Sequence, residues 1–190
     1  TRWDVDVLSL LIGRASIDIA SNFEGNPVSG VVGASVTGNL SVDQLKARTS
    51  AETVTRLANI PMAQLAGTID ADIVHADWSQ GELPVVEGKL YWNDAEVTVA
   101  ETAALGNITI EVTPEDEALT AVIRNNGGDI QIQGDAALKG EFEYDADMQF
   151  KPNASASRNI RQSLGLFAQP QPDGSYRLQN SGSLKQFGIL

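Results

Sequence analysis

The chain has 190 residues, of which 42% are hydrophobic, and its 25 acidic and 13 basic side chains give a formal net charge of −12. This hydrophobic content excludes bulk disorder, and the length suffices for one large domain with a buried core. Such an acidic chain repels nucleic acid and anionic lipid headgroups, so neither is expected as a partner. Cysteine is absent, which excludes disulfides and cysteine metal sites and fits a cytosolic or bacterial periplasmic protein.

The N-terminal part of the chain is predicted to form β-strands. Trp3 to Ile12 and Arg14 to Ala20 are predicted strands, in which apolar and polar residues alternate with the period-2 pattern of half-buried strands until the alternation ends at Leu10-Leu11-Ile12 in the first, where both faces are expected to be covered. Interspersed glycines divide Val28 to Ala47 into strands interrupted by bends or bulges. Ser50 then caps a short predicted helix, which Pro61 ends.

The first residues of the sequence indicate whether a segment has been removed upstream. The chain begins with Thr1 instead of methionine, and a strand pattern is already under way at Trp3. No stretch approaches the roughly 18 to 20 consecutive apolar residues of a membrane helix, and no signal peptide is recognisable. We therefore expect a fragment from which the upstream part, including any membrane anchor, has been removed, and we expect residues 1–190 to form a single domain.

The central stretch from Leu65 to Val99 predicts two long strands and the start of a third. Apolar residues alternate with aspartates before Ser79-Gln80-Gly81, which supplies the reversal. Pro84 marks the edge of the next strand, and Asn93-Asp94 is expected to turn the chain into the third.

Four further strands are predicted in quick succession. The first two lie around residues 108–112 and 119–124, and Asn125-Asn126-Gly127-Gly128 predicts a hairpin turn because Asn and Gly tolerate positive φ. The third returns over Asp129 to Lys139. From Gly140 to Phe150 acidic and apolar residues alternate, so the fourth strand has one solvent side and one core side.

The C-terminal region predicts a helix and a last strand. Ser155 to Phe167 is expected to be helical, with its apolar residues at helical spacing, and a final strand runs from Tyr176 to near Gly182. So many short strands with hairpin-length links predict an all-β fold with one or two short helices, arranged as a long curved antiparallel meander. A sheet of that length is expected to roll into a half-barrel or to split into two packed layers.

His75 is the only histidine, and Asp70, Asp72 and Asp77 lie close to it in sequence. Strand parity puts Asp70 and Asp72 on the opposite face, so only Asp77 can join the histidine. One histidine and one aspartate are too few for a structural zinc site. We interpret His75 as a satisfied, partly buried core histidine.

A row of acidic residues on the clearest predicted strand offers a second candidate site. Glu141, Glu143, Asp145 and Asp147 place carboxylates about 7 Å apart along one face. Calcium usually takes its oxygen ligands from loops that wrap the ion. We therefore interpret the row as a solvated outer face that discourages edge pairing by a second copy.

The sequence shows no recognised catalytic motif. No glycine-rich phosphate loop is present, and no serine sits in a nucleophile elbow. We therefore predict no catalytic, cofactor-binding or metal-binding residues, and a protein that is not an enzyme. Trp78 and Trp92, at the ends of the two central strands, are expected to be buried, since large aromatic side chains mostly pack inside; exposed, they would mark a protein interface.

Two regions, about a third of the chain, carry a family resemblance. The central stretch contains the patterns L-x-G, W-x-x-G and G-x-x-x-W-x-x-A in order, formed by Leu65, Gly67, Trp78, Gly81, Gly88, Trp92 and Ala95. The tail adds Leu164, Leu166, Asp173-Gly174-Ser175-Tyr176-Arg177-Leu178 and Gly182-Ser183-Leu184. In this order and spacing the chain resembles the type II secretion system protein N (general secretion pathway protein N) family.

The resemblance implies a single-pass inner-membrane protein of Gram-negative bacteria with a periplasmic β-rich domain. It would be a non-enzymatic accessory of the machine that exports folded proteins across the outer membrane. Its partners would be secretion proteins of the inner-membrane platform or the outer-membrane secretin, and it would reach the membrane only through the missing N-terminal helix. A second resemblance, to AsmA-like curved-sheet proteins of the cell envelope, implies instead an apolar groove that handles lipid or a small ligand.

Overall fold

The computed structural model describes residues 2–5, 14–23, 25–35, 38–57, 63–99 and 101–184. Its strands form one 12-stranded antiparallel sheet. The strands are β1 (Arg2–Val5), β2 (Arg14–Phe23), β3 (Asn26–Ser35), β4 (Leu40–Ser50), β5 (Gln64–Trp78), β6 (Val85–Thr98), β7 (Thr102–Glu115), β8 (Ala118–Asn126), β9 (Ile130–Lys139), β10 (Glu143–Pro152), β11 (Gln169–Pro170) and β12 (Tyr176–Ser183).

The sheet is a meander in which every strand up to β10 pairs with its sequence neighbours. Only the end of the sheet departs from this order, because β12 pairs with β10 and β11 lies outside β12. The strands of the described residues do not close into a barrel. The predicted all-β meander is therefore confirmed, and the described strands remain one open sheet instead of splitting into two layers.

Both predicted helices are present. Helix α1 (Ala51–Leu57) begins after Ser50, whose Oγ accepts a hydrogen bond from the Thr53 N–H at 3.2 Å, so the predicted cap is confirmed. Helix α2 (Arg158–Phe167) begins after Ser157, whose Oγ accepts from the Ile160 N–H at 3.1 Å. A capping hydroxyl satisfies one backbone donor that the first helical turn leaves without a partner.

The pairing register separates the two sides of the sheet, because directly paired residues of antiparallel strands point to the same side. One side, the apolar face, carries rows such as Ala71, Leu90, Ile110, Ile123 and Met148. The other side, the polar face, carries rows such as Asp70, Tyr91, Thr109, Arg124, Gln133, Gln149 and Arg177. The period-2 patterns of the sequence thus produce one amphipathic sheet.

Helix α2 covers part of the apolar face and creates the main core of the molecule. Ile160 and Leu164 of the helix are buried against the sheet. The buried cluster consists of Ala95, Leu105, Ile108, Ile130, Ile132, Ala156, Ile160 and Leu164. An amphipathic helix that lies on an apolar sheet face is a standard way to bury both surfaces.

Two predicted boundaries are wrong. Asn93-Asp94 does not end a strand, since β6 runs through it and the register shifts there, with Asp94 at a φ of +48°. Asn and Asp tolerate positive φ in bulges as well as in turns, so the dipeptide alone does not distinguish the two. The acidic strand begins at Glu143, because Gly140–Phe142 form a 3-10 turn with positive φ at Glu141.

Two other predictions fall partly outside the described residues. Arg2–Val5 form the beginning of the strand predicted from Trp3 to Ile12, and residues 6–13 lie outside the described part of the chain. Pro61, the predicted end of the first helix, also lies outside it. The hairpin turn predicted at Asn125 to Gly128 is confirmed, because it joins β8 to β9.

Candidate functional site

The residues of the central motifs meet where β5 and β6 bend together. Gly67 has a φ of +104°, and a Cβ atom there would lie 2.5 Å from the Asn93 carbonyl oxygen. The Trp92 indole N–H donates to the Ala66 carbonyl at 2.8 Å. Ala95 is buried beyond the bulge. The L-x-G and W-x-x-A patterns therefore build one structural bend from two neighbouring strands.

The remaining motif glycines also have backbone roles. A Cβ atom on Gly88 would lie 2.7 Å from the Asp72 carbonyl oxygen and 2.8 Å from Ile73 Cα, so only glycine lets β5 and β6 approach so closely here. Gly81 has a φ of +83° in the turn after Trp78 and has open space around it. These motif positions shape the sheet and place no reactive side chain.

The tail motif fixes the last hairpin. Asp173 Oδ1 accepts hydrogen bonds from the Ser175 N–H at 3.1 Å and the Ser175 hydroxyl at 2.6 Å. The hydrogen bond from the Ser175 hydroxyl is the main cause that holds the pKa of Asp173 below its usual value. Gln149 Nε2 donates to the fully buried Ser175 Oγ at 3.1 Å, which ties the hairpin to β10.

His75 lies between two carboxylates on the polar face. Its Nδ1 is 2.6 Å from Asp43 Oδ1, and its Nε2 is 2.7 Å from Asp77 Oδ2. The hydrogen bond to Asp43, followed by that to Asp77, raises the pKa of His75. The side chain is 38% exposed, so it is satisfied, as we predicted, but it lies on the sheet surface and not in the core.

Strand parity mispredicted the side of the sheet on which His75 lies. Ile73 pairs with Gly88 and His75 pairs with Glu87, so Val74 is the extra residue of a bulge. Since Gly88 and Glu87 are adjacent on β6, they point to opposite sides. His75 therefore shares the polar face with the two aspartates that parity had placed opposite it.

Those aspartates nevertheless have other partners. Asp70 Oδ1 lies 2.6 Å from Arg48 Nε, and Asp72 Oδ2 lies 3.7 Å from Lys46 Nζ. Asp77 is thus the one aspartate of the predicted set that contacts the histidine, as expected. Asp43 was missed, because a partner on β4 can be found only from the strand register.

The acidic row is a solvent-facing row with cation partners. Asp145 Oδ2 lies 2.6 Å from Lys139 Nζ, and Arg177 binds Asp147 through two hydrogen bonds, one of them at 2.8 Å. The bond from Arg177 is the main cause that lowers the pKa of Asp147. Within the described residues no group of three or more histidines and carboxylates is arranged to hold a metal ion.

We predicted that the acidic row would oppose pairing of a second copy at a sheet edge, and this prediction is wrong. It lies on β10, which has β9 on one side and β12 on the other. Glu141 is outside the row, because it belongs to the 3-10 turn before the strand.

The two tryptophans differ. Trp92 packs against the buried cluster, as predicted. Trp78, at the end of β5, is 43% exposed, so its predicted burial is wrong. It pairs with Leu40 on the apolar face, and Leu40 is exposed as well.

An apolar cavity of about 220 Å³ lies between α2 and the sheet. Phe150 and Phe167 meet edge to face across it, with ring centroids 5.8 Å apart. Phe167 is 53% exposed at its mouth, and the neighbouring Leu166 is 88% exposed. Helical spacing alone did not predict this exposure, because the docking of α2 decides where the Phe167 ring lies.

The family model described as type II secretion system (T2SS), protein N, matches residues 1–179. The chain belongs to this family. The type II secretion system protein N of Vibrio cholerae serotype O1 is 24% identical over 190 residues, which cover 96% of this chain and 74% of that protein.

No solved structure matches the chain. Membership of the protein N family supports an accessory role in type II secretion. Neither described helix combines the length and the hydropathy that crossing a membrane requires.

Proposed function

We propose that the chain is the periplasmic, non-enzymatic domain of an inner-membrane component that assists a type II secretion system in exporting folded proteins. The family match over residues 1–179 carries this proposal. The absence of cysteine and the net charge of −12 are compatible with a periplasmic domain. The domain would act by binding other secretion proteins, in the inner-membrane platform or the outer-membrane secretin.

The geometry supports a binding role over a catalytic one. The motif residues Gly67, Gly88 and Trp92 hold the backbone in place, and the one histidine is held by two carboxylates. A histidine with both ring nitrogens occupied has no free nitrogen with which to activate a nucleophile. An open sheet with exposed apolar residues such as Leu40 and Trp78 offers surface for a protein partner.

Deletion of the gene in a bacterium that uses this secretion system tests the proposal. We expect less folded exoprotein in the medium and its accumulation in the periplasm, with restoration by the wild-type gene. Secretion at the wild-type level without the gene would contradict the accessory role.

The non-enzymatic part of the proposal has its own test. The variant His75→Ala should complement the deletion and differ from wild type only in stability, with His75→Gln as the matched hydrogen-bonding control. A His75→Ala protein that is folded and abundant but does not support secretion would contradict a purely structural histidine.

A lipid-handling or small-ligand groove remains a second candidate, because two observations favour it. Among the described residues of the apolar face, Ile17 is exposed and Val32 and Leu45 are only half-buried, and the apolar cavity of about 220 Å³ is lined by the exposed Phe167. An apolar cavity of this kind binds apolar molecules more readily than water. Native mass spectrometry of protein purified from its host should then detect bound lipid, and Ala103→Leu, which fills the cavity, should reduce it. Protein without lipid would remove this candidate.

A further inference from the structure

The edge of the sheet at β12 is only partly occupied. On one side β12 pairs with β10 along its full length, from Tyr176 to Ser183. On the other side β11 pairs only with Tyr176 and Arg177. Among the described residues no strand lies beside the following stretch, Leu178 to Gly182.

The backbone hydrogen bonds identify the groups that face outward. Gln171 N–H donates to the Ser175 carbonyl at 2.8 Å, so the backbone of Ser175 points away from β10. Along a strand the backbone N–H and C=O of alternate residues point to the same side. Gln179 and Ser181 therefore direct their N–H and C=O groups outward, at positions where no described strand pairs with them.

This stretch lacks the features that usually protect an edge. Natural edge strands carry lysines, prolines, bulges or inward-pointing charges that oppose pairing with another chain. Leu178 to Ser183 contain no charged residue and no proline, and their pairing with β10 is regular. Such a stretch is suited to accept an added strand.

The surroundings of the edge indicate the chemistry of that strand. On the polar face Asp147, which Arg177 binds, pairs across from Gln179, and Asp145, which lies 2.6 Å from Lys139 Nζ, pairs across from Ser181. Glu143 adds a further exposed carboxylate to the same side. On the apolar face the edge presents the half-buried Leu178.

A second copy of the chain is disfavoured as the occupant, because each copy carries a net charge of −12. The net charge of −12 and the exposed carboxylate of Glu143 favour a basic segment.

We propose that the edge at Gln179 and Ser181 binds an extended segment of a secretion-system protein as an added strand. That segment carries Lys or Arg at the positions that face the acidic row and apolar residues at the alternate positions. The identity of the partner as a secretion protein rests on the function proposed above, whereas the site and its chemistry rest on the edge itself.

The main test variant is Ser181→Pro, and Ser181→Thr is its matched control. Proline removes the outward N–H and does not remove a bond to β10, whereas threonine keeps the N–H and favours a strand. The probes are the purified periplasmic domains of the secretin and of the inner-membrane platform proteins from the same bacterium. We expect one of them to bind the wild-type chain and the threonine variant equally, and the proline variant about five- to tenfold more weakly.

Charge variants and hydrogen exchange supply further readouts. Ser181→Lys should weaken the complex several-fold at low salt, and Ser181→Glu should strengthen it or leave it unchanged. Independently of any variant, the probe that binds should slow amide hydrogen exchange at Gln179 and Ser181. This measurement keeps the proposal testable if the proline variant does not fold.

The outcomes separate the two proposals. If deletion impairs secretion but Ser181→Pro binds every probe normally and supports secretion, the edge proposal is wrong and the accessory role stands. If deletion leaves secretion unchanged, the accessory role is wrong. Slower amide hydrogen exchange at Gln179 and Ser181 on binding would still support the edge proposal. No protection by any probe domain, or dimerisation of the chain that Ser181→Pro abolishes, would overturn the proposed occupant.

Discussion

The apolar face follows the same pattern in its two halves but differs in burial. In the C-terminal half α2 lies over the strands, and buried hydrophobic residues run from Ala95 to Ala168. In the N-terminal half Val32 and Leu45 lie on the same face and are only half-buried, and Ile17 is exposed. The C-terminal half, which is covered by the longer helix α2, therefore contains the main core.

This contrast shows that alternation makes a sheet amphipathic but does not bury it. A covering element is needed to remove the apolar face from water, and burial supplies most of the stabilisation. Helix α1 is short and buries Ala51 and Thr53. We therefore expect α2 to contribute more to stability than any element of the N-terminal half.

The largest expected effect follows from undocking α2. Leu164→Ala removes a buried side chain from the contact between helix and sheet. It should lower the free energy of unfolding by about 2–5 kcal/mol, measured by urea denaturation. Leu166→Ala, on the exposed side of the same helix, is the matched control and should change it by less than about 0.5 kcal/mol. Equal effects of the two variants would show that α2 does not hold the core.

The bend between β5 and β6 should be the next most sensitive place. Gly67→Ala combines a positive φ with a clash against the Asn93 carbonyl, so we expect a loss of about 1–3 kcal/mol. Gly25→Ala has a similar backbone conformation but open space around it, and should cost less. Thermal unfolding of both variants measures the difference, and a Gly67→Ala protein as stable as Gly25→Ala would contradict the close packing at the bend.

Removing the cap of each helix compares directly how much the two halves contribute to stability. Ser157→Ala removes the cap of α2 and should lower the global stability by about 1 kcal/mol. Ser50→Ala removes the cap of α1 and should mainly increase local opening of that helix, because less of the core depends on it. Denaturation together with amide hydrogen exchange distinguishes these effects. A larger global loss from Ser50→Ala would reverse the assigned roles of the two helices.

The smallest effect concerns His75 and depends on pH. Its pKa is raised in the folded state by Asp43 and Asp77. The stabilisation is therefore complete below the unfolded-state pKa of about 6.5 and is lost as the pH rises through the higher folded-state value. The stability difference between wild type and His75→Gln should be larger at low pH and shrink on the alkaline side. Exposure to solvent keeps it small, and a pH-independent difference would exclude a protonated histidine.

The sequence predicted the positions of the strands and helices better than their bulges and side-chain contacts. Alternation predicted the meander, and Ser50 predicted a cap that the structure contains. The bulge at Val74 was not predictable, because this extra residue has no distinct signature and the register on β6 decides it. Because this bulge was missed, His75 was predicted on the wrong side of the sheet. The partner Asp43 and the exposure of Trp78 depend on strands and loops that are distant in sequence.

The sequence alone thus determined an amphipathic antiparallel sheet, its capped helices and its family motifs, because these depend on local periodicity and backbone preference. The tertiary structure decided which half of the apolar face is covered, where the cavity opens, and which backbone groups at Gln179 and Ser181 point away from β10. Those features depend on register, bulges and helix docking, which join residues far apart in the chain and leave no local pattern.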